Sequence, residues 1–279
     1  MGQIKIPPTP ASLDLSGKTI IVTGANTGLG LESARQYLVL HAARTLSKGE
    51  EAARYLSGHP TVKEANPTAE VLVMELDLDD YESVLKFTEN VKGKFDVLDI
   101  VLLNGGVNIM NYQTSKSGHE RVLQVNYCSE ALLALEPLPF LEATAAKRGT
   151  PSRLTIVGSE AQNSASVAKK AVPENEGLIA YLDNKATYAG LTRYSDSKLL
   201  VPAFVQELAQ RVSGKNVIVN NVCPGLVATG CDAHLPLWLK PIMFVFRKFQ
   251  ARDVDEGART LIIASAVMGE EAHGQFIAG

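Results

Sequence analysis

The chain has 279 residues, 46% of them hydrophobic and 20% charged, which is enough apolar material for a sizeable core and too little net charge for a disordered chain. A formal net charge of −3, a pI near 6.0 and the lack of any long Lys/Arg run leave no basic footprint for nucleic acid. The three cysteines, Cys128, Cys223 and Cys231, have neither metal-ligand nor redox spacing, so a reduced, cytoplasmic setting is expected and no metal site.

In chain order, residues 1–16 read as a Pro-rich arm without the apolar run of a signal peptide. KTIIVTG (18–24) is a short buried strand ended by glycine, and 29–40 has helical character. Ser47 with Glu50 three residues on predicts a capping-box helix start. AEVLVMELDL (69–78) is a strand and 81–93 an amphipathic helix. VLDIVLLNGG (97–106) is a strand, 120–135 a long helix and RLTIVGS (153–159) another strand. A helix is predicted over 194–212, a strand and turn over 216–225, and a last helix over 255–266. Strands and helices alternate, and the strands are continuous apolar runs. That pattern predicts an α/β, doubly wound parallel sheet in three layers. No linker divides the chain, so 17–279 reads as one domain of Rossmann type, with 160–190 and 229–254 as insertions beyond the carboxyl ends of the strands. The apolar stretch 235–246, broken by Pro236, Lys240 and Pro241, is too short to span a membrane. Around Trp238 it is a candidate lid, with contact to a membrane surface as an alternative.

Two segments carry chemistry. TGANTGLG (23–30) follows a strand and opens a helix. Gly24, Gly28 and Gly30, with Asn26, Thr27 and Leu29 between them, would let the backbone turn sharply and bring helix N-terminal N–H groups to a pyrophosphate. In YSDSK, Tyr194 and Lys198 stand four residues apart, so on a helix they share a face. An ammonium beside a phenol favours the phenolate, which makes the tyrosine a usable proton donor and acceptor near neutral pH.

With TGANTGLG, ELDL, LNGG, Ser159 with YSDSK, and NVCPGLVAT in this order, the chain resembles a short-chain dehydrogenase/reductase, in particular the retinol-dehydrogenase-like branch and fungal secondary-metabolism members. The resemblance runs from about Lys18 to Ala278. It implies that Tyr194 is the general acid in reduction and that Lys198 lowers its pKa and binds the nicotinamide ribose. Ser159 would hold the substrate carbonyl, and Asn126 would hold a water of a proton relay. The simpler alternatives are that Ser159 caps a turn and Asn126 bonds backbone. Asp77 and Leu78 would meet the adenine, and Asn104 and Gly105 its ribose. Pro224 and Gly225 would turn under the nicotinamide, and Val227 and Thr229 would bind its carboxamide and the pyrophosphate. Where the family usually reads NNAG, this chain reads LNGG (103–106), a change that should loosen the strand end.

The cofactor expected is NADP, with NAD as the alternative. Arg44, with Lys48 and no acid before Glu50, stands where a 2′-phosphate reader is sought. The segment from Gly30 to Arg44 is short for a helix, a loop and a strand, so either 39–43 forms a stunted second strand or the adenosine site is damaged. The expected function is hydride transfer between the nicotinamide and a ketone or secondary alcohol of an apolar substrate. The alternative is a non-catalytic binding protein of the same fold. A homo-oligomer is expected, as is common in that family.

Overall fold

The computed structural model describes residues 5–40, 44–47 (backbone only), 49–170, 172–227 and 251–279. Among the described residues seven strands form one sheet in the order β3-β2-β1-β4-β5-β6-β7, with every neighbouring pair parallel. They are β1 Thr19–Val22, β2 Arg44–Ser47, β3 Glu70–Val73, β4 Ile100–Leu103, β5 Ser152–Val157, β6 Val217–Cys223 and β7 Phe276–Ala278. Successive strand residues point to opposite faces, and both faces are apolar. Ile21, Val101, Leu103, Leu154, Ile156 and Val219 enter one core. Ile20, Val22, Ile100, Leu102, Val157 and Val222 enter the other. The predicted doubly wound parallel sheet is the fold.

The helices are α1 Gly28–Val39, α2 Glu50–Gly58, α3 Pro60–Ala65, α4 Tyr81–Lys94, α5 Arg121–Leu123, α6 Ser129–Leu135, α7 Leu138–Arg148, α8 Leu178–Asp183, α9 Arg193–Arg211 and α10 Val254–Ile262. Val84, Phe87 and Val91 of α4, Leu133 of α6 and Val201, Val205 and Leu208 of α9 cover the first core. Ala34, Tyr37 and Leu38 of α1 and Leu261 and Ile262 of α10 cover the second. The single helix predicted over 120–135 is interrupted by a π turn, Gln124–Cys128, between α5 and α6. Helix α7 and strand β7 were not anticipated. Among the described residues no helix is long and apolar enough to cross a membrane.

The second strand departs from the expectation of a stunted strand over 39–43. The slot between β1 and β3 is filled by Arg44–Ser47, not by 39–43, and at 4 residues β2 equals β1 and β3 in length. Ser47, predicted as a helix cap, ends this strand, and α2 begins behind Gly49 at φ +96° with no side-chain cap. Pairing of both neighbours decides the matter. Without a strand in that slot, the facing N–H and C=O groups of β1 and β3 would be unmatched in the middle of the sheet.

The start of α9 is anchored by a buried ion pair. The Arg193 guanidinium lies 3.7 Å from the Glu120 carboxylate, with side-chain exposures of 1% and 0%. Glu120 also accepts from the N–H groups of Val122 and Leu123, capping α5. Replacing Arg193 strands that carboxylate in the core. Arg193→Met is expected to lower the unfolding free energy by roughly 3 kcal/mol, read as a fall in the urea midpoint.

Candidate active site

At the carboxyl end of β1 the chain turns through Gly24 at φ +64° and Gly28 at φ +55°, left-handed conformations that glycine adopts without strain. Gly30 is required by contact. A Cβ there would lie 2.4 Å from the Gly24 carbonyl oxygen and 2.6 Å from Asn104 Nδ2. The loop is stitched to the end of β4. The backbone N–H groups of Asn104 and Gly105 each donate to Thr23 Oγ1 at 2.8 Å, and Asn104 Nδ2 donates to the Thr23 carbonyl at 3.0 Å. The Asn104 amide is thus engaged with the glycine loop. Thr27, the residue before α1, is extended and makes no side-chain cap, so no side chain of its own shields the helix's first N–H groups.

A cavity of about 320 Å³ opens here, lined by Gly24, Asn26, Asp77, Leu78, Gly105 and Gly106 among others. Asp77 is not a bare turn acid. Its carboxylate accepts from the Asp79 N–H at 3.0 Å and from Lys116 Nζ at 2.7 Å.

The second part of the site comes from α9. Lys198 is 4% exposed, and its Nζ donates to the Val157 carbonyl, the last residue of β5, at 2.7 Å. The same Nζ lies 3.9 Å from where a Cβ on Gly106 would stand. Tyr194, one turn earlier on the helix, is half-buried. Its main-chain carbonyl accepts from Ser197 Oγ at 2.8 Å. Ser197 in turn accepts from Asn126 Nδ2 at 3.1 Å. Asn126 sits in the π turn, accepts from the Val107 N–H at 2.8 Å and donates to the Val107 carbonyl at 2.9 Å. Both donors of this amide are in use on protein atoms, and its oxygen keeps a second lone pair beyond the Val107 N–H.

Ser159 follows β5, and its Oγ accepts from the Ala161 N–H at 3.2 Å, capping a short 3-10 turn, Glu160–Ser164. That turn is tied to the one after β6. Cys223 Sγ accepts from the N–H of Glu160 at 3.3 Å and from that of Gly225 at 3.4 Å, with Gly225 at φ +75°. Burial pushes the Cys223 thiol up, which keeps it a neutral structural acceptor. Pro224 and Gly225 are thus held beside Ser159, and Val227 makes an isolated parallel bridge to Arg252.

Arg44 is the first residue of β2, and its backbone pairs in register with Thr19, while the glycine loop leaves β1 beyond Val22. Thr229 and the lid candidate around Trp238 lie outside the described residues. Sequence reasoning passed over Thr23 and Cys223. Thr23 was inside the glycine motif and could have been found there. Nothing local marks Cys223, whose partner Glu160 is distant in the chain.

A glycine cradle at a helix start, a Tyr–Lys pair and a serine, all at the carboxyl ends of parallel strands, define a doubly wound dinucleotide-binding protein. The family model described as short chain dehydrogenase matches residues 18–171 and 179–240. The chain is 48% identical to the short chain dehydrogenase sor7 of Hypocrea jecorina over 284 aligned residues, covering 99% of this chain and 79% of the relative. It is 41% identical to the short chain dehydrogenase yanD of Aspergillus niger, covering 99% and 86%. It also shares its fold with a 3-oxoacyl (acyl-carrier-protein) reductase from Agrobacterium tumefaciens solved with NADP bound, at a TM-score of 0.68 and 18% identity over 95% of this chain and 94% of that one. The chain belongs to the short chain dehydrogenase family and is an NAD(P)-dependent oxidoreductase.

The glycine cradle fits such a dinucleotide, because Thr27 makes no side-chain cap over the first N–H groups of α1 and the adjoining loop residues Gly24 and Asn26 line the cavity. Gly30→Ala is expected to push Gly24 and Asn104 apart. NADPH affinity should fall at least roughly tenfold, a loss of about 1.4 kcal/mol, measured by fluorescence titration.

Proposed function

We propose that this protein is an NADP-dependent oxidoreductase that interconverts a ketone and a secondary alcohol of an apolar substrate in secondary metabolism. The observation that carries the reading is the placement of Lys198. Its ammonium is buried on the Val157 carbonyl beside Gly106, one helical turn from Tyr194 and next to the glycine cradle. The bound nicotinamide would supply hydride chemistry. Gly24, Asn26, Thr27, Gly28, Leu29 and Gly30 would hold its pyrophosphate side. Asp77, Leu78, Asn104 and Gly105 would hold the adenosine, and Pro224, Gly225, Val227 and Thr229 the nicotinamide end.

In reduction, Tyr194 passes its phenolic proton to the carbonyl oxygen of the substrate. Lys198 stabilises the phenolate left behind through its charge. The Ser159 hydroxyl donates to the same substrate oxygen and stabilises the negative charge that develops there. Asn126 holds Val107 and, through Ser197, the backbone of Tyr194, so that helix and strand end keep their spacing. The choice of NADP rests on the charge of the segment 44–49, which carries Arg44 and Lys48 and no carboxylate. The similarity to sor7 and yanD supports the placement in secondary metabolism. Strand β2, complete between its neighbours, supports the catalytic reading over a non-catalytic one.

Tyr194→Phe is expected to lower kcat for reduction of apolar ketones by about a hundredfold or more, with the NADPH dissociation constant unchanged. Full turnover in this variant would remove the mechanism. In a thermal melt, NADPH at a hundred times its Kd should stabilise the protein by roughly 2.7 kcal/mol over the ligand-free state, and NADH at the same concentration should stabilise it less. No shift with either cofactor would favour the non-catalytic binding protein.

A further inference from the structure

Glu130, at the start of α6, has no place in the chemistry so far. It is 2% exposed, and neither carboxyl oxygen has a hydrogen-bond partner. It lies directly behind the floor of the cavity. A Cβ on Gly105 would stand 3.1 Å from Glu130 Oε1 and 2.5 Å from Leu78 Cδ1. A Cβ on the next residue, Gly106, would stand 3.4 Å from Asn126 Oδ1 and 3.9 Å from Lys198 Nζ. The two consecutive glycines of LNGG therefore have a carboxyl against one and the Lys198 ammonium near the other. Glycine at 105 is what leaves space for this carboxyl, since an alanine methyl would press on both Leu78 and Glu130.

A lone carboxyl in that position contributes nothing to packing that a leucine or methionine would not do better. Among the described residues its surroundings offer it one charge. Helix α4 presents Val84, Phe87, Thr88 and Val91, while its Tyr81 interacts with Cys128. Before α4, Asp77 is paired with Lys116 and Asp79 with Arg121. Gln124 and Ser129 are bonded to each other. Helix α9 presents Lys198, whose charge acts on Glu130. Burial raises the Glu130 carboxyl above its ordinary range and Lys198 draws it back in part, so the group holds a proton at neutral pH and gives it up as pH rises.

We propose that Glu130 is a positioning residue that acts through Lys198 on Tyr194. It is a second proton-holding group behind Gly105, and its negative charge, once formed, opposes formation of the Tyr194 phenolate. Two like charges in the field of one ammonium titrate against each other. The result is a Tyr194 that stays protonated, ready to reduce a carbonyl, over a wider pH range, while alcohol oxidation, which needs the phenolate, sets in late and rises gradually. This inference rests on the assignment of Tyr194 and Lys198 above.

The test is the pH dependence of kcat/KM for alcohol oxidation with NADP+, between about pH 6 and 10, in the full-length protein and in Glu130→Gln. The midpoint is expected to fall by about one pH unit and the rise to steepen, with the plateau rate within about twofold of the parent. Glu130→Met should give the same shift if Glu130→Gln folds poorly. Melting temperatures supply a second readout. A carboxyl raised on folding contributes stability at low pH that is lost as pH climbs through its folded value. The parent should therefore lose ground against Glu130→Gln between pH 6 and 9. A changed rate with an unmoved midpoint, while Tyr194→Phe is inactive, would overturn the role of Glu130 and leave the Tyr194 assignment standing. An active Tyr194→Phe would overturn the assignment itself.

Discussion

A buried ammonium has to be held, and the bond from Lys198 to the Val157 carbonyl is the constraint on which the rest of the site depends. Val157 is the last residue of β5, so this one contact fixes the height of α9 against the carboxyl edge of the sheet. Tyr194 precedes Lys198 by a single turn on the same face and is carried to that edge with it. Ser197, between them, passes the constraint to Asn126 and from there to Val107, just past the end of β4. Groups from α9, the π turn and two strands are thereby brought to one place by hydrogen bonds that each need the others.

The cofactor side is built by close approach rather than by charge. Gly30, Gly24, Thr23 and Asn104 are packed so tightly that one added methyl would require the backbone to move. The two halves of the site share the dipeptide Gly105-Gly106, which floors the cavity and faces Lys198 and Glu130 behind it.

Strand β2 shows how differently backbone and side chains constrain a sequence. The slot between β1 and β3 asks only for extended residues with free N–H and C=O groups, and RTLS meets that need although the preceding segment is short. Recognition of a ligand would ask in addition for one particular side chain at one particular row, and the register sets Arg44 at the first row of β2, level with Thr19.

The sequence by itself determined the fold class, the glycine cradle and the Tyr194–Lys198 pair, because each depends on local spacing: continuous apolar runs, glycines at a strand-to-helix turn, and residues four apart on one helix. The π turn at Asn126, the stitching by Thr23 and Cys223, the register of β2 and the burial of Glu130 were decided only by tertiary structure. Each joins residues far apart in the chain, as Cys223 with Glu160 or Glu130 with Lys198, and no local pattern announces which distant group a buried polar atom will meet. Register is the clearest case, since a strand's row against its neighbours depends on the length of everything before it as much as on its own residues.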